Sequence, residues 1–206
     1  LGSSTGVVVS KFLFEADDEA FTVKELTLED PNENDEVAAA VRISYQNAAG
    51  QTVTRSSVLS GSSVNFSNLD FYIPSNGERT LTAMIDTGEV SATGAASGSA
   101  FSLDLDDTAG GFEAVGSSET LDGDDITAVT ADVHIARQTQ PTLSLASNSP
   151  STGTPGFSPV LRFNIAADSK GYIDFNGVTF KLSTTADSSE FNFCDNLTAA
   201  DFSLYD

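Results

Sequence analysis

An all-β chain of tandem sandwiches is what this sequence predicts, on three observations. Apolar residues alternate with polar ones at period 2 almost throughout, and no stretch of eleven or more residues holds a helical period. Residues that favour tight turns separate the alternating runs at short intervals. A strand-crossing-strand pattern occurs twice, at a constant offset of 151 residues.

The first run places Phe12, Phe14 and Ala16 on one face. An acidic knot follows, Asp17-Asp18-Glu19, and then a second run whose inward phase is Phe21, Val23, Leu26, Leu28. That phase changes parity across Lys24-Glu25, as a β-bulge requires. Residues 33–40 carry an Ala38-Ala39-Ala40 triplet that suits a helix. Val37, Ala39, Val41, Ile43 and Tyr45 nevertheless keep one alternating phase, so the segment is read as strand.

Further inward sets are Leu69, Phe71, Ile73; Leu81, Ala83, Ile85; Phe101, Leu103, Leu105; and Ala131, Val133, Ile135. Each faces polar residues on its other side, as in sheets with one face in a core and one in water. Asn47-Ala-Ala-Gly50, Pro74-Ser-Asn-Gly77, Gly110-Gly111 and Leu121-Asp-Gly123 supply the turns.

The repeat sets Lys11-Phe-Leu-Phe-Glu-Ala-Asp17 over Arg162-Phe-Asn-Ile-Ala-Ala-Asp168. After one inserted residue, Val23 to Glu29 lies over Phe175 to Lys181, with a matching parity change at Asn176-Gly177. The predicted domains are therefore a sandwich over 1–137, a strand and a Pro/Gly/Ser linker over 138–159, and a partial second sandwich over 160–206. Pro141 to Ala146 is the strand that precedes the second copy. Leu1 to Gly6 reads as the tail of an equivalent linker, so the sequence is expected to be part of a longer array. The second sandwich is then completed by further sequence or by strands of neighbouring chains.

Composition bounds the function. Nine basic residues stand against 30 acidic ones, a net charge of -21. Nucleic acid and anionic membrane need a basic face, so neither is an expected partner. No apolar run is long enough to span a bilayer as a helix. One cysteine, Cys194, permits no internal disulfide and no CxxC metal site. There is no phosphate loop or dinucleotide fingerprint, and His134, the sole histidine, sits between two inward residues of an ordinary strand. We expect no enzyme.

Cations remain the natural ligands. Calcium takes six to eight oxygens from carboxylates and carbonyls, which Asp-rich loops with glycine provide. Asp104, Asp106 and Asp107 form one candidate cluster, and Asp122, Asp124 and Asp125 another. Asp17 with Asp18 is the next, followed by Asp30, Asn32, Asn34 and Asp35. None follows the EF-hand spacing, and a solvated acidic surface is the alternative for each. The knot has as its counterpart Asp168-Ser-Lys170, which keeps only the first acid. That favours a turn or strand crossover there over a metal site. Sequons at Asn65-Phe-Ser67 and Asn196-Leu-Thr198 would accept N-glycans where the host makes them.

The stretches Gly2 to Asp17, Phe21 to Leu28, Leu69 to Ala83 and the closing Ser203-Leu-Tyr-Asp206 together resemble the immunoglobulin-like repeats of large prokaryotic surface proteins, of surface-layer or surface-filament type. The resemblance covers most of 1–137 and part of 141–206. It implies immunoglobulin-like sandwiches, an extracellular place on the cell surface, and a structural role. Partners would be neighbouring subunits, met through edge strands and domain ends, with calcium as a bridge. An adhesin or carbohydrate-binding module that takes glycans at its loops is the alternative.

Overall fold

The computed structural model describes residues 1–127, 129–150, 158–169, 171–174, 177–181 and 203–204. The chain divides into two compact units, Leu1–Ile173 and Asp174–Asp206. Unit one is all-β, with two principal antiparallel sheets.

The first sheet runs β1 (Val7–Ala16), β7 (Gly77–Thr87), β3 (Ala38–Gln46), β4 (Thr52–Ser57). The second runs β11 (Thr120–Asp122), β10 (Phe112–Val115), β2 (Phe21–Glu29), β5 (Ser63–Phe66), with β6 (Phe71–Ile73) and β9 (Asp104–Leu105) also pairing β2. Two ribbons complete the set: β8 (Ala100–Phe101) with β12 (His134–Ile135), and β13 (Thr142–Leu145) with β14 (Phe163–Ala166).

Alternation builds the core. Phe12, Val41, Ile43, Tyr45, Leu81, Ala83 and Ile85 from the first sheet are buried in one cluster with Val23, Leu26, Leu28, Phe71 and Phe112 from the second. Each such Leu, Ile or Phe contributes roughly 1.5–3 kcal/mol through removal from water. Phe14 joins the sheets: its ring meets Phe71 edge-on at 5.3 Å and stacks on Phe112 at 6.0 Å. Two antiparallel sheets sharing one core between them are a β-sandwich arrangement.

The expected bulge is present in β2. Glu25 pairs Glu113 and Val23 pairs Ala114, which leaves Lys24 without an opposite residue. Its carbonyl accepts the Leu69 N–H at 2.9 Å, so the backbone group left over by the bulge is used. Two further bulges were not legible. One skips Val9 in β1, and the other skips Ala39 in β3.

The structure corrects three segments. A single 3-10 turn, Asp35–Val37, precedes β3, and the bulge at Ala39 buries Ala38 and exposes Ala39, the reverse of the expected assignment. Phe101, Leu103 and Leu105 are buried as expected, but the run is two strands, not one. Between them Ser102 gives its N–H to a side chain and the ladder changes partner from β12 to β2. Val133 and Ile135 are 56% and 45% exposed, because among the described residues only two there join a ladder, with β8 as partner.

Within the second unit, Val178 to Lys181 joins no ladder among the described residues. Phe175, Asn176, Cys194, the Asn196 sequon and residues 151–157 of the linker lie outside the described residues. Among the described residues no helix is long and apolar enough to cross a membrane.

Candidate functional site

The acidic knot is the passage from β1 in one sheet to β2 in the other. Asp18 adopts φ 62°, the left-handed region that Asp tolerates better than most residues. The Glu19 N–H reaches the Asp17 carbonyl at 2.7 Å, and the Ser75 hydroxyl donates to the Asp18 carbonyl at 2.6 Å. Asp17 and Asp18 remain exposed to solvent. This is a crossover, as the comparison of the two copies suggested.

Glu19, which was not among the candidate ligands, is the acid with built surroundings. Its carboxylate accepts the Ser117 N–H at 2.5 Å and the Ser118 N–H at 3.1 Å, as well as both serine hydroxyls. The hydroxyl of Ser117, then that of Ser118, holds its pKa down to about 2 against desolvation, and the two N–H groups add lesser contributions in the same direction. Gly116 permits the approach: a Cβ there would lie 2.8 Å from the Glu19 carboxyl carbon. The sequence signal was Gly116-Ser-Ser118, a donor-rich turn, but nothing local says which acid it serves.

The two best candidate clusters do come together. A Cβ on Gly123 would fall 1.7 Å from the Thr108 carbonyl oxygen, and one on Gly111 would fall 2.4 Å from the Asp106 carboxyl carbon. Asp107 and Thr108 thus lie directly against the Asp122 to Asp125 turn. Within this junction several carboxylates accept backbone N–H groups. Asp104 Oδ1 accepts the Ala131 N–H at 2.9 Å, and Asp106 Oδ1 accepts the Thr108 N–H at 2.9 Å.

Asp122 and Asp125 form a reciprocal cap around the 3-10 turn Gly123–Asp125. Asp122 Oδ1 accepts the Asp124 N–H at 2.9 Å, and Asp125 Oδ2 accepts the Asp122 N–H at 3.0 Å. Asp107 and Asp124 are exposed. Among the described residues no three His, Cys, Asp or Glu side chains converge as a metal group. The arrangement offers the exposed carboxylates of Asp107 and Asp124 on turns held by capping hydrogen bonds.

Asp30 is different. It is fully buried, and its Oδ1 accepts the N–H of Asn32 at 3.1 Å, the side-chain amide of Asn32 at 3.0 Å and the Ser102 N–H at 3.2 Å. Its Oδ2 accepts the Asn34 N–H at 2.9 Å. Asn34 passes the network on to the Ala100 carbonyl at 2.8 Å. This carboxylate organises the loop after β2 and pins it to the chain between β8 and β9; Asp35 beside it is exposed.

His134 turns its ring to β1. Nε2 lies 2.9 Å from the Val9 carbonyl oxygen, which can only accept, so that nitrogen carries the proton. The contact stands in a shallow groove of about 440 Å³ between Val8 to Lys11 and Val129 to Asp132. No protein-family model, curated protein or solved structure matches this chain.

Proposed function

We propose that this chain is a structural subunit of an extracellular assembly, a surface layer or filament, made of tandem immunoglobulin-like sandwiches and bridged in part by calcium. The observation that carries the reading is the repeat. β14 occupies Phe163–Ala166, the residues that the 151-residue offset places over Phe12 to Glu15 of β1. A strand thus recurs where the repeated sequence asks for one, as tandem copies of one domain require.

Charge supports an assembly that depends on cations. A net charge of -21 makes copies repel one another, and divalent ions held between exposed carboxylates would offset that repulsion. Electron microscopy of the purified protein tests the reading. Ordered arrays or filaments are expected with calcium, loosening when a chelator is added. Monodisperse particles in both conditions would count against assembly.

A further inference from the structure

β1 is an edge strand, pairing β7 and no other strand among the described residues. Its repeated counterpart β14 has β13 beside it, antiparallel, with Thr142 opposite Ala166, Leu143 opposite Ile165, Ser144 opposite Asn164 and Leu145 opposite Phe163. The repeat converts those four positions of β14 into Glu15, Phe14, Leu13 and Phe12 of β1.

Backbone parity tells which edge of β1 corresponds. Alternate residues of a strand turn their N–H and C=O groups to opposite edges. The Arg162 carbonyl accepts the Ala146 N–H at 2.9 Å, so Arg162 and Asn164 face β13; their counterparts are Lys11 and Leu13. On β1, Val9 is left out of the β7 register and gives its carbonyl to His134. Lys11 and Leu13 share its parity and so face the edge that β7 does not use. The segment Val129 to Asp132 lines a groove together with Val8 to Lys11 of β1.

We propose that this edge receives the Thr142–Leu145 strand of a second copy of the chain, antiparallel, with Leu145 opposite Phe12 and Leu143 opposite Phe14. The inference rests on the assembly reading and gives it a specific joint. β13 is suited to exchange because all four of its residues are exposed, with Leu143 at 62% and Leu145 at 67%. A two-stranded ribbon is marginal in water, whereas β1 belongs to a completed sheet. Seated there, the two leucines lie beside Phe12 and Phe14 on the inner face. The move covers the free edge of β1 and releases β14 from β13, so the number of unpaired edges does not rise.

Cysteine pairs test the register in a Cys194→Ser background. Singly substituted proteins, Leu13→Cys and Ser144→Cys, are mixed with calcium under mild oxidation. Opposed residues on neighbouring strands stand about 5.5 Å apart at Cα, within disulfide reach. A disulfide between the two variants is expected, at least tenfold above that of Leu13→Cys mixed with Leu143→Cys, whose side chain is on the other face. A second pair, Glu15→Cys with Thr142→Cys, reads the same register at positions that are also exposed. Failure of both pairs above the control overturns the proposal. Arrays that form without either disulfide reject this joint and keep the assembly; loss of both arrays and disulfides rejects the two together.

Discussion

Ser117 donates its backbone N–H to Glu19 Oε2 at 2.5 Å, across 98 residues of sequence. The bond fastens the passage between the two sheets to the turn joining β10 and β11. A carboxylate whose pKa falls on folding from 4.5 to about 2 stabilises the fold above its ordinary range, and that contribution is lost as pH falls through about 2. Glu19→Gln is therefore expected to melt below the parent protein at neutral pH, with the two melting curves converging as pH drops from about 4.5 toward 2. Thermal denaturation across that window checks the sign. Solvent screening at this half-exposed site keeps the separation modest.

Asp30→Ala strips the buried loop of its acceptor and leaves the N–H groups of Asn32, Asn34 and Ser102 without it. A loss of about 3 kcal/mol or more is expected, since each buried unsatisfied donor costs about 1–3 kcal/mol. Asp35→Ala, on the exposed neighbour, should change stability by less than about 0.5 kcal/mol. Urea unfolding of both variants makes the comparison.

At Gly123 a side chain has no room, with the Thr108 carbonyl oxygen 1.7 Å from where its Cβ would sit. Gly123→Ala should cost about 2 kcal/mol or more by forcing the two acidic loops apart. Nothing lies within 4 Å of a Cβ on Gly110, so Gly110→Ala is the matched control and should be near neutral. Denaturation midpoints of the pair separate close packing from a generic glycine effect.

Asp107 and Asp124 are exposed, and neither is used to cap the turns of the acidic junction. Asp107→Asn combined with Asp124→Asn should leave the melting temperature unchanged and move calcium-driven assembly, followed by light scattering, to higher calcium. An identical response of the parent to sodium at matched ionic strength would mean screening alone.

Legibility followed the distance over which each feature is decided. The bulge at Lys24 could be read because a parity change is written in neighbouring apolar residues, Val23 and Leu26. The bulges at Val9 and Ala39 were hidden, since Val7 to Val9 and Ala38 to Ala40 are uniform triplets in which no parity shows. β4 is hidden for another reason: its residues 52–57 include only one apolar side chain, Val53, and among the described strands it pairs β3 alone, at the sheet's rim.

The acidic clusters were visible by composition, and their adjacency was not. Asp107 and Gly123 meet only because β9 and β10 both pair β2. The same long-range closure made Glu19, and not Asp17 or Asp18, the engaged acid of the knot. The buried role of Asp30 depended on Ser102, 72 residues away.

The Gly2 N–H reaches the Arg137 carbonyl at 3.2 Å, and the Ser3 N–H reaches the Gly88 carbonyl at 2.9 Å. The segment leading into β1 and the segment after β12 are thus clasped at one spot. Tension applied through these two segments would load these contacts one after another before it reached the long β1–β7 ladder. In the tandem array proposed above, a load passed from copy to copy would meet these few bonds before it met the core.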